Sequence, residues 1–157
     1  MTKNIEQFLE QYLAENGLTR RHSHVRYIPF LDADESVDDH FINLLAGKIC
    51  AGFRLKRWYI EQGIKWSEPG HIIVMTDYYG VPRACAKIKH FETVLYKNMT
   101  EQLAMAIGYG DGSLKTWQQR SHHIISLDCV AANIKFNPDI ELLITHFEML
   151  FPNPNPA

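Results

Sequence analysis

Long apolar runs are missing from this chain of 157 residues. No stretch approaches the roughly 18 consecutive apolar residues that a membrane-spanning helix requires. Charge interrupts the opening "MTKNIEQFLEQYL" too often for a secretory leader. No membrane partner is expected, and the expected location is the cytoplasm. Cysteine is scarce. Cys50, Cys85 and Cys129 lie far apart with no Cys-x-x-Cys pair, which argues against a disulfide framework and a thiolate zinc site. They read as reduced, small and mostly buried. No internal repeat is found. The Gly-x-x-x-x-Gly-Lys-Ser/Thr pattern of a nucleoside-triphosphate loop is absent. The dense basic character of most DNA-binding domains is absent too, since the net charge is −2.

What is present is uneven. Residues 1–46 carry four Lys/Arg against eight Asp/Glu, residues 47–97 nine against four, and residues 98–157 three against six. A middle third at +5 between flanks at −4 and −3 fits an anionic ligand near the middle segment; charge spread over a solvated surface is the plainer alternative. A length of 157 residues with 46% apolar composition suits one domain with one core.

Ile5, Phe8, Leu9, Tyr12 and Leu13 share one face of a helix that Asn4 caps and Gly17 stops. Residues 18–35 show no period and are too long for a plain connection, so part should be functional or hide a short strand. Ser36 to Gly47 reads as a second helix, with Asp38 and Asp39 near its start and Phe41, Leu44 and Leu45 buried. From Gly70 the period changes to two. "HIIVMTD" and "RACAKIKHFETVLY" form a hairpin around "YYGVP", with Ala84, Ala86 and Ile88 on one face and Cys85, Lys87 and Lys89 on a polar, basic one. Thr100 begins a helix through Ile107, "GYGDG" breaks it, and Ser113 begins another running to about His123. "DIELLITHFEMLF" is a long strand, and "PNPNPA" should fray. The fold class is α+β, with a mostly antiparallel sheet and helices between its strands.

Two stretches carry the chemistry. In "LLAGKICAGFRLKRW" a lysine follows a helix-ending glycine. Gly47 and Lys48 can bring backbone and ammonium to an anion, or Lys48 can simply offset the helix dipole. In "GYGDGSLKTW" three glycines around Tyr109 and Asp111 precede a helix, and either present N–H groups to an anion or make an interhelix loop capped by Asp111. Among eight histidines, His22 and His24 form a His-x-His pair, but no carboxylate stands at a known ligand spacing, so no metal and no cofactor is expected. Cys50 beside Lys48 is chemically able to act as a thiolate; burial is the simpler expectation.

Four blocks, "LLAGKICAGFR", "EPGHIIVMTDYYGVPRACAKI", "MTEQLAMAIGYGDGSLKTW" and "FNPDIELLITHFEMLF", resemble in order and spacing the ASCH domain family, a branch of the PUA-like β-barrels, and in particular its larger bacterial-type members. The likeness runs over about residues 37–151. It leaves residues 1–36 as an added helix and extended segment packing on the barrel, and 152–157 as a tail. The resemblance implies a barrel with a cleft lined by the lysine after the glycine turn, and RNA, a nucleotide or a modified nucleoside as partner. Lys48 and Arg54 would hold phosphate, with Lys56 and Arg57 at the mouth and Trp58 or Tyr59 stacking on a base. Arg83 and Lys87 would lie near the hairpin, with Tyr109, Asp111 and Trp117 as the opposite wall.

The pattern also departs from that family. Where its amidohydrolase members carry a threonine and a glutamate, this chain has Ala51 and Ile107, which can act neither as nucleophile nor as acid or base. Ile107-Gly108-Tyr109-Gly110-Asp111 replaces Glu-Gly-Glu-Gly-Asp, and Ser121 stands where many members place a histidine. Three readings follow: a binding module for RNA or a nucleotide; a metal-independent ribonuclease or amidohydrolase using Lys48 with His122 or Tyr109; and a domain whose altered cleft serves a protein partner.

Overall fold

Helix α1 (Ile5–Glu15) begins in a capping box: Asn4 Oδ1 accepts the Gln7 N–H at 2.8 Å while the Gln7 side chain accepts the Asn4 N–H at 3.3 Å. Gly17, at φ +65°, follows its end. The computed structural model describes residues 4–27, 43–44, 46–63, 68–76 and 82–152. The helix expected from Ser36 to Gly47, the "YYGVP" turn and most of the C-terminal tail lie largely outside them.

Five strands are described: β1 (Ser23–Tyr27), β2 (Ala51–Leu55), β3 (Ile72–Thr76), β4 (Pro82–Leu95) and β5 (Glu141–Phe151). They form one sheet in the order β1-β3-β4-β5-β2, with β1 parallel to β3, β3 antiparallel to β4 and β2 antiparallel to β5. The expected hidden strand in residues 18–35 is β1. The expected barrel is not seen among the described residues. Closure requires the two edge strands to pair, and β1 and β2 end an open, mixed sheet.

The described residues divide into two compact units, one drawn from residues 1–47, 67–89 and 147–157, the other from 48–66 and 90–146. In the first unit Leu9 and Leu13 of α1 are buried against Ile72, Val74 and Cys85, with Ile5, Phe8 and Tyr12 packed around them. This corrects the expected basic face of β4. Cys85 lies opposite Val74 beneath α1, and Ala84 and Ala86, opposite Met75 and Ile73, are equally buried. Three small residues in a row let β4 be covered on both faces there. Alternation returns only with half-buried Lys87 and exposed Lys89.

In the second unit, short α2 (Lys56–Gln62) follows β2, and α3 (Glu101–Ile107) and α4 (Leu114–Ala131) cover a core that includes Leu55, Trp117, Ile125, Leu142 and Ile144. Thr100 and Ser113 cap α3 and α4, as the sequence indicates. Helix α4 runs to Ala131 rather than His123. Its inward positions include Ser121 and Asp128, and these polar residues interrupt the apolar period that would have marked its length. No described helix is long and apolar enough to cross a membrane.

Candidate functional site

Alternation along β2 puts Ala51, Phe53 and Leu55 on one face, together with their cross-strand partners His146, Ile144 and Leu142. Most of that face is core. At one end, however, the apolar pairs stop at Ala51 and His146. There His146 Nε2 lies 2.6 Å from Glu92 Oε2, and the His90 ring stacks on the His146 ring at 4.2 Å and 13°. One ligand atom from each of His90, Glu92 and His146 falls within 4.8 Å of the others.

The Lys48 segment enters β2 at this same end. Gly47 has φ +75° and Lys48 is exposed. The Cys50 N–H donates to Ala106 O at 3.0 Å, and buried Ile49 fills the space beside Gly108. A Cβ on Gly108, itself at φ +76°, would stand 2.5 Å from Ile49 Cγ1, so only glycine admits this approach. The lysine turn and the glycine loop are therefore neighbours through Ile49 and Gly108. Cys50, expected to be buried, is exposed, while Cys85 and Cys129 are buried.

Beyond Gly108 the loop is held differently from the anion cradle the sequence allows. Asp111 Oδ1 accepts the Ser113 N–H at 2.9 Å, Glu101 Oε2 accepts the Leu114 N–H at 3.0 Å, and Ser113 Oγ accepts the Thr116 N–H at 3.1 Å. The first donors of α4 are thus taken by the protein itself. Hydrogen bonds from Ser113 hold the Asp111 carboxyl down to about 2. Asp111 ties down the turn ahead of α4, while the cap itself is Ser113. Tyr109 meets the Phe53 ring edge-on at 5.8 Å, and burial pushes its phenol up to about 12 against the pull of Arg120. It is a hydrogen-bond donor at neutral pH and not a base.

Arg120, which sequence reasoning missed, flanks the loop: its guanidinium carbon lies 3.4 Å from where a Gly110 Cβ would be. His122 is two positions further on, about 200° around α4 from Arg120, and meets Phe136 edge-on at 5.8 Å. It is not brought to the loop. Trp117 is fully buried, with Phe53 and Tyr96 rings 5.4 and 5.5 Å away. It backs the wall from inside and offers no face to a ligand. Its Nε1 and the Ser121 Oγ are buried without hydrogen-bond partners among the described residues.

Arg54 does not point into a free cleft. Its Nε and Nη2 donate to the Asp128 carboxylate at 3.2 Å each, and its guanidinium carbon sits 3.4 Å from the Trp58 ring centroid. It neutralises a buried carboxylate and stacks on α2. Arg57 pairs with Glu61 at 2.9 Å along α2, and Lys56 with Glu141 at 3.7 Å. Arg83 is exposed and Lys87 half-buried on the part of β4 that belongs to the first unit. In that unit His24 Nε2 and His71 Nδ1 lie 2.9 Å apart, with His22 edge-on to His71 at 5.3 Å.

The comparisons agree with this architecture. The ASCH domain family model matches residues 27–150. The crystal structure of an ASCH domain from Lactobacillus crispatus JV V101 superposes with a TM-score of 0.74 at 28% identity, covering 92% of each chain. That of protein EF3133 from Enterococcus faecalis V583 also gives 0.74, at 20% identity, over 96% of this chain and 90% of that one, and shows the shared fold. No curated protein matches. With four sequence blocks, a match over most of the chain and this fold in agreement, the chain belongs to the ASCH domain family.

Proposed function

We propose that the second unit binds RNA or a nucleotide where the Lys48 turn meets the glycine loop. The supporting observation is how the cations are distributed. Arg54, Lys56 and Arg57 are each engaged by a carboxylate. Lys48, next to the Ile49 that meets Gly108, and Arg120, beside Gly110, are exposed and have no carboxylate partner among the described residues. Two uncommitted cations beside a half-buried phenol suit a phosphate and its attached sugar or base. The family membership is consistent with that reading.

Catalysis has less support. Tyr109 keeps its proton, His122 leaves the far side of α4, and Ala51 and Ile107 bring no nucleophile or acid. Turnover as a ribonuclease or amidohydrolase is the alternative tested alongside binding.

The test is fluorescence anisotropy with a short single-stranded RNA and with a mononucleotide, at low and moderate salt, while the RNA is followed for cleavage in EDTA. Binding should weaken with salt, and Lys48→Ala or Arg120→Ala should reduce the log–log salt slope by about 0.7 for each phosphate no longer neutralised. Salt-independent binding, or variants that bind as the wild type does, would count against the proposal. Cleavage that Lys48→Ala abolishes would promote the enzymatic reading. Failure to bind either probe would leave the protein-partner reading, to which exposed Leu127 and Val130 on α4 lend an apolar surface.

A further inference from the structure

We infer that His90, Glu92 and His146 form a binding site for one divalent transition-metal ion, zinc in the first instance, independent of whether the Lys48 turn binds RNA. Residues two apart on a strand project from the same face, so His90 and Glu92 leave β4 side by side, and β5, its hydrogen-bonded neighbour, supplies His146. The three side chains stand on the central strands of the sheet, where backbone position is fixed better than in a loop.

The distances suit an ion. Zinc takes imidazole nitrogen and carboxylate oxygen at about 2.0–2.2 Å, which in a tetrahedral site sets the donors about 3.3 Å apart. That spacing lies between the 2.6 Å separation of His146 Nε2 and Glu92 Oε2 and the 4.8 Å that bounds the set. The His90 and His146 rings, now stacked nearly parallel, would turn out of that stack to aim both nitrogens at one ion. The cluster also has spare capacity as it stands: among the described residues His90 makes a ring contact and no hydrogen bond, and it is exposed. The carboxylate supplies the negative charge that would hold a cation beside two neutral imidazoles. Two imidazoles with one carboxylate select zinc and its transition-metal neighbours over the hard cations magnesium and calcium.

Three protein ligands leave a coordination position for water or an anionic oxygen. By register that position lies near the start of β2, since His146 is paired with Ala51, three residues after Lys48.

The first experiment titrates EDTA-stripped, desalted protein with zinc against a chromophoric chelator and, in parallel, with cobalt for its visible d–d bands. One ion per chain is expected. Glu92→Gln, which keeps the side-chain shape, and His90→Asn should each weaken it by more than the ~10–100-fold that loss of an outer partner costs; His24→Ala, in the first unit, should leave it unchanged. Lack of binding, binding insensitive to Glu92→Gln and His90→Asn, or binding abolished by His24→Ala would overturn the assignment. If a variant does not fold, imidazole nitrogen NMR of the wild type decides. Zinc should shift the His90 and His146 ring signals and spare those of His22, His24 and His71; the reverse pattern would refute the site.

Discussion

Each unit carries a histidine cluster, and the two are built on different principles. In the first, His24 Nε2 and His71 Nδ1 lie 2.9 Å apart, and Glu68 stands 4.0 Å from His71 with most of its side chain in water. In the second, Glu92 lies 2.6 Å from His146 and both are half-buried. An imidazole pair offers a donor to an acceptor, whereas an imidazole pair beside a carboxylate adds a negative group able to hold a cation. The surroundings differ in the same sense. The first unit buries its strands under α1, while the second lets its core face run out beside an exposed lysine turn.

Thiol chemistry should separate the two regions most widely. Cys85, under α1, has its thiol pushed by burial from 9.0 to about 12, about a thousandfold less thiolate at neutral pH, and is closed to reagent. Cys50 of the second unit is exposed. A disulfide-exchange reagent should therefore modify one thiol promptly and the others only on denaturation, and a ligand seated beside Lys48 should slow that one. Equal labelling of Cys50 and Cys85 would erase the contrast.

Next in size is the effect of removing core support. Trp117→Ala should cost about 3–5 kcal/mol and Leu13→Ala about 2–5 kcal/mol in urea unfolding. Only the tryptophan carries Phe53 and, through it, Tyr109. Under conditions where both variants remain folded, Trp117→Ala should weaken RNA or nucleotide binding and Leu13→Ala should not; equal losses of binding would contradict the division of labour.

The smallest effect concerns pH. Helix α1 is capped by neutral Asn4 and Gln7, α4 by a loop that uses the Asp111 carboxylate. A carboxyl held down to about 2 when folded, against an ordinary value of 3.8, stabilises above the ordinary value and loses that contribution as pH falls toward 2. Asp111→Asn should lower the melting temperature at pH 7 and leave it unchanged near pH 2, while Asn4→Ala should show the same deficit at both. A pH-independent deficit in Asp111→Asn would argue that the amide replaces the carboxylate without loss of charge-dependent bonding.

Local patterns in this sequence were legible wherever local forces decide. Asn4 and five apolar residues at helical spacing announce α1, an apolar run announces β3, a period-two run β4 and a long strand-like run β5, and Thr100, Gly108 and Ser113 mark the ends of α3 and α4. Tertiary override accounts for the rest. The length of α4 was hidden by inward Ser121 and Asp128, and the partner of Arg54 by a separation of 74 residues. The buried state of Cys85 depended on α1, which no local alternation reveals. Near the lysine turn, the family pattern put the glycine loop across a cleft from Lys48, whereas the contact of Ile49 with Gly108 depends on how two distant segments pack. His90-x-Glu92 stood in the sequence as a strand-spaced pair, but its third member is 54 residues beyond Glu92, and only the pairing of β4 with β5 supplies it.

The contact between Ile49 and Gly108 also has an evolutionary consequence. With 2.5 Å between the Ile49 side chain and a would-be Cβ, position 108 cannot change alone. A side chain at 108 demands both a smaller residue at 49 and a rebuilt turn, whereas position 49 can become smaller without any change at 108. Descendants of this sequence should therefore keep glycine at 108 for as long as a residue as large as isoleucine stands at 49, and any loss of that glycine should come after a smaller residue at 49.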